Sequence, residues 1–142
     1  MQFRIILTKI VVLAMEASFI FAQVDVIGDQ NFHIIQNNNQ ISLPFFSNQS
    51  LDAPDGSIQK VVIVIHGANR NADDYYNSIY NNAFDLNVLS ETIIIAPQFL
   101  ITTDLNYWQP STAYAFWSST TPWSSGDQSH STSEHPRDYE IS

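Results

Sequence analysis

No cysteine occurs anywhere in the 142 residues. That excludes a disulfide framework, a thiolate metal site and a cysteine nucleophile, and it leaves the redox compartment open. Cations are almost as scarce, since five Lys and Arg against fourteen Asp and Glu give a formal net charge of −9. Past the first ten residues the only basic side chains are Lys60, Arg70 and Arg137. A nucleic-acid surface needs a basic patch, so that class of partner is excluded. Glycine stands at four positions only, Gly28, Gly56, Gly67 and Gly126, and no two of them are four residues apart. The strained G-x-S-x-G turn that presents a serine nucleophile is therefore absent. What is plentiful is apolar: 44 % hydrophobic and 13 % aromatic residues, with 13 % charged, describe a folding chain of one domain at most.

The first 22 residues stand apart. Arg4 and Lys9 precede an apolar stretch that ends at the small residue Ala22, the order of a secretory signal peptide. Cleavage after Ala22 and a secreted product are the expectation, with residues 23–142 as the mature domain. Glu16 inside the apolar stretch and bulky Ile20 run against that pattern, and an uncleaved anchor or a hydrophobic first strand are the alternatives. Glu16 also argues against a stable membrane span, which needs roughly 20 apolar residues. Asn48-Gln49-Ser50 is the single N-x-S/T triplet and makes Asn48 a candidate glycosylation site.

Local patterns then lay out the elements. Residues 24–27, 32–35 and 41–46 are short β-prone segments, and Pro44 confines the third to an edge or a bulge. Pro54-Asp55-Gly56 is a turn. Residues 60–65 carry consecutive apolar side chains, which predicts a strand buried on both faces. Ala72, Tyr75, Tyr76, Ile79, Tyr80, Ala83 and Phe84 follow the 3.6-residue period of one helix face, with Asn71 as N-cap and Asp73 and Asp74 at the positive end. Residues 92–96 form a second buried strand, stopped by Pro97. Strand, helix and strand at this spacing predict a crossover in a parallel sheet, an antiparallel pair being the alternative. Residues 98–126 scatter aromatics without period and read as a loop folded over the carboxyl ends of the strands. Residues 127–142 are too polar to pack as a core element.

The chemistry centres on Lys60 to Gly67, KVVIVIHG, where a strand ends in His66-Gly67. Gly67 permits a tight turn there, and the backbone N–H of Ala68 becomes a candidate oxyanion donor. His66 reads as a structural strand-end residue rather than a base. His130 and His135 are five apart beside Glu134 in a Ser/Thr-rich stretch, not at zinc-site spacing, and read as a solvated loop. Asp73-Asp74 read as a charged helix start. Tyr107, Trp108 and Trp117 suit sugar stacking in principle, with loop packing the simpler account.

Leu43-Pro44-Phe45-Phe46-Ser47-Asn48, the segment VVIVIHGANRNADDYYN, the later IIIAPQFL and Trp123-Ser124-Ser125-Gly126-Asp127 together resemble the amino-terminal part of a secreted α/β-hydrolase branch with HGxxRNADDYF-like, APQFL-like and W-x-x-G-D segments. The resemblance covers residues 41–142. It implies an α/β fold, specifically an incomplete α/β-hydrolase fold of amino-terminal strands plus the first crossover helix. It also implies Gly67 and Ala68 in the oxyanion hole, no cofactor, no metal, and a small-molecule or ester substrate only in full-length relatives. By that resemblance the nucleophile, acid and base all lie outside the chain. The expectation is a fragment or degenerate copy of a secreted serine hydrolase, inactive as given. The alternative is a non-enzymatic secreted binding module that uses the aromatic loop 98–126.

Overall fold

The computed structural model describes residues 23–36, 39–53, 56–120, 122–127 and 129–131. The leader segment with Ala22, the turn residues Pro54 and Asp55, and Glu134 and His135 lie outside the described residues. The β-prone segments around Phe32 and Ile41 form a hairpin, β1 (Gln30–Gln36) with β2 (Asn39–Ser47), paired from Gln30↔Phe45 to Gln36↔Asn39. β4 (Thr92–Pro97) pairs antiparallel with β2 through Phe45–Ser47. β3 (Lys60–Ile63) pairs parallel with β4 from Lys60↔Thr92 to Ile63↔Ile95, as the strand–helix–strand spacing predicts. The sheet order is β1-β2-β4-β3.

The 3.6-residue stripe forms α1 (Ala72–Asp85), which packs over β4 and β2 with Tyr76 stacked on Phe46. Ala72 and Ala83 are buried, while Tyr75 and Phe84 at the rim of the stripe stay exposed. Asn71 precedes the helix without a side-chain cap, because its amide donates to Asp74 Oδ2 at 2.8 Å instead.

Four expectations need correction. β3 is not buried on both faces: it ends at Ile63, and Val61, Ile63 and Ile65 are 60 %, 63 % and 42 % exposed. A run of consecutive apolar residues marks a strand but not its place in the sheet, and β3 lies at the edge. Pro44, conversely, sits in a strand with neighbours on both sides. Its carbonyl accepts from Gln98 N–H at 2.8 Å, so its backbone faces the β4 side, where the ladder begins only at Phe45. The N–H that proline lacks is one that no ladder bond requires.

Residues 24–27 form no strand. Their backbone groups are taken by side chains instead: Asp104 Oδ1 accepts from Val24 N–H, Trp108 Nε1 donates to Val24 O, and Gln98 Nε2 donates to Val26 O. Finally, the aromatic stretch is not an irregular loop. It builds β5 (Leu100–Ile101), α2 (Thr102–Trp108) and β6 (Ala115–Trp117), and the polar tail adds β7 (His130–Ser131). These strands form a second sheet in the order β5-β6-β7, and Ser129 is fully buried beside it. Elements of two or three residues are too short to carry a period.

Ile41 and Leu43 alternate with Phe46, so they face away from α1. They form one core cluster with Ala115 and Trp117, against which Ile34, Phe99 and Trp123 pack. Val24, Leu100, Leu105 and Tyr114 form a second cluster. The small sheet thus covers the β1–β2 half of the face opposite α1. Asn48 works as a strand extension, since its amide donates to Thr92 O and accepts from Ile94 N–H, both at 2.9 Å. Among the described residues no helix is long and apolar enough to cross a membrane.

Candidate functional site

The loop between β3 and α1 is fixed by its own polar groups. Buried His66 accepts from Phe99 N–H through Nε2 at 2.9 Å. That bond requires a lone pair on Nε2, so the proton sits on Nδ1, which donates to Gly67 O at 2.7 Å. Both ring nitrogens are thereby occupied, and burial pushes the imidazole pKa below its usual value. The ring also packs edge-on against Phe99 and Trp123. His66 is a neutral brace between the two sheets, with no free nitrogen to act as a base.

Gly67 is not at positive φ. The left-handed residue of this loop is Arg70, at φ +60°. A non-glycine residue there is strained by about 1–2 kcal/mol. Arg70 N–H donates to Gly67 O at 3.1 Å and closes the turn. Its guanidinium meets Asp104 from the first turn of α2, with Nε to Oδ2 at 2.8 Å and Nη2 to Oδ1 at 3.2 Å. Nη1 reaches back to Ala68 O at 3.0 Å. The pair is buried, Arg70 to 3 % and Asp104 to 0 % exposure. Asp104 is saturated, because Val24 N–H and Ile101 N–H also donate to it. Gln98, equally buried, donates to Val26 O and Arg70 O and accepts from Gly28 N–H.

Beside this loop lies a cavity of about 320 Å³, lined among others by His66, Gly67, Ala68, Ile101, Pro122 and Trp123. Its walls are largely apolar. Ala68 is exposed there with its carbonyl held by Arg70, while its own N–H donates to no described residue. Ser119 and Ser124 reach the same cavity. Neither has a free general base among the described residues lining the cavity, because His66 is fully engaged. Among the described residues no group of three or more His, Cys, Asp or Glu is placed to hold a metal ion.

The fold thus brings the expected oxyanion-loop residues His66, Gly67 and Ala68 to one cavity with Trp123 of the W-x-x-G-D segment. It does not assemble Tyr107, Trp108 and Trp117 into a stacking platform. Trp117 is 2 % exposed and donates to Asp127 O, whereas Tyr107 faces solvent. The candidate glycan acceptor Asn48 is elsewhere, half-buried with both ends of its amide on β4. Sequence reasoning gave Asp104 no role, and quoted Gln98 only within the APQFL-like segment. The one local signal was an aspartate two residues after Thr102, where a short helix begins. No family model, no curated protein and no solved structure matches this chain.

Proposed function

We propose that this chain carries the oxyanion-side half of an α/β-hydrolase acyl site. The observation that carries this reading is the Ala68 N–H: a donor with no acceptor among the described residues, at an apolar cavity, on a loop held by His66 and Arg70. The sheet supports it as well. β3, which leads toward His66-Gly67, lies parallel to β4, the arrangement that the resemblance implies. The cavity suits a small neutral acyl group, its carbonyl oxygen on Ala68 N–H and its chain against Trp123. Among the described residues the one cation lining the cavity, Arg70, is spent on Asp104 and Ala68 O. In catalysis such a donor is worth ~3 kcal/mol of transition-state stabilisation. Hydrolysis further requires a serine activated by a base, and the described residues place none at this cavity; the Ser42 Oγ contact with His33 Nδ1, at 3.0 Å, lies away from it on the β1–β2 hairpin.

Two measurements test this. A fluorophosphonate probe is expected to label no serine, and saturable stoichiometric labelling of Ser119 or Ser124 would overturn the inactive assignment. Tryptophan fluorescence should report binding of a short-chain aliphatic amide more tightly than the hydrocarbon of equal length. One hydrogen bond supplies about 1 kcal/mol, or roughly fivefold. Ala68→Pro, which deletes the N–H, should abolish that difference; equal binding of amide and hydrocarbon by the parent chain would refute the donor's role.

A further inference from the structure

The edge of β3 is built to receive another strand, and among the described residues no strand pairs with it. Val64 N–H donates to Ile95 O at 2.9 Å, so the even-numbered residues of this stretch turn their backbone toward β4. By alternation the N–H and C=O groups of Val61, Ile63 and Ile65 turn outward. The same three residues carry the exposed apolar side chains, at 60 %, 63 % and 42 % exposure. Natural edge strands are blunted by charge, proline or a bulge. Residues 61–65 contain none of the first two, and the register with β4 runs unbroken over Lys60–Ile63. Lys60 at the near end is already paired with Glu91 at 3.1 Å.

Unpaired outward backbone selects an extended polypeptide as the occupant, and the pattern selects which one. Val61, Ile63 and Ile65 form a stripe that reads the same way about its centre. Turned antiparallel on itself, it matches Val61 with Ile65 and Ile63 with Ile63, all on one face and with no charge opposing a charge. We infer that two copies of this chain pair through β3 about a two-fold axis at Ile63, giving one continuous eight-stranded sheet. This goes beyond the proposed acyl site, which lies past the end of the strand, and does not depend on it.

The absence of cysteine makes the register directly measurable. Directly opposed residues in an antiparallel pair have Cα atoms about 5.5 Å apart, within disulfide reach. Ile63→Cys in the full chain should oxidise to a disulfide-linked dimer. Val61→Cys or Ile65→Cys alone should not, whereas a mixture of those two variants should cross-link. Sedimentation of the parent chain should show a concentration-dependent dimer. Ile63→Lys places like charges opposite one another and should weaken the dimer at least about tenfold. Residue 63 is exposed, so far-UV circular dichroism should stay unchanged; the cysteine series stands independently if it does not. A monomer at all concentrations, open-ended polymers, or equal cross-linking at 61, 63 and 65 would each overturn the inference.

Discussion

Arg70 and Asp104 set the terms at the residue scale. The pair is dry, bidentate and backed by three backbone groups, so removing one partner strands a charge in the interior. Breaking such a pair costs about 3–5 kcal/mol. Asp104→Ala should therefore lower the urea midpoint sharply, and the combined Arg70→Met, Asp104→Ala variant should be less destabilised than the sum of the single changes. Strict additivity would mean the two do not act as a pair. His66 adds a pH dependence of definite sign. Its folded pKa is depressed from 6.5 by burial, so the unfolded chain binds the proton first. The stability from neutral His66 is complete above about pH 6.5 and is lost as pH falls through the folded pKa, where Nε2 can no longer accept from Phe99 N–H. Urea midpoints measured from pH 7.5 down to 5.5 should fall for the parent chain and fall less for His66→Asn. Little of this was legible in the sequence. Arg70 and Asp104 are 34 residues apart, and no local pattern pairs them.

At the scale of elements, legibility followed length. β4 and α1 were readable because an apolar run and four turns of 3.6-residue period leave a signal that tertiary contacts need not supply. α2 was not: its seven residues bury only Asp104 and Leu105, and it depends on the partners of Asp104 as much as on propensity. The exposure of β3 was likewise invisible, since a position at a sheet edge is a property of topology. The segment before β1 gives a sharper test of packing. Gly28 has no room for a side chain; a Cβ there would lie 2.6 Å from Phe45 O and 2.7 Å from Phe45 N, both backbone atoms of β2. Gly28→Ala must push that segment off the hairpin and weaken the Gly28 N–H bond to Gln98. Overpacking of this kind costs about 1–3 kcal/mol. Gly56→Ala, where a Cβ meets nothing, is the control and should be neutral. Equal midpoints for the two variants would mean that the contact at Gly28 relaxes freely.

Across the whole molecule, two tendencies oppose each other. The uncharged edge of β3 favours association, while a net charge of −9 on each copy disfavours bringing two copies together. The charges are spread over the surface and the stripe itself has none, so their repulsion acts over distances that salt can screen. The Debye length is about 30 Å at 0.01 M salt and about 3 Å at 1 M. The apolar and backbone contacts of a paired edge gain nothing from low salt. Dimerisation through β3 should therefore strengthen as sodium chloride rises from about 0.01 M to 1 M, and the urea midpoint should become more dependent on protein concentration over the same range, because a partner that binds only the folded state stabilises it by mass action. Ile63→Lys should abolish both trends. Sedimentation equilibrium across the salt series is the measurement. An assembly that dissociates on adding salt would be held by ion pairs, and the apolar edge would have to be abandoned as its cause.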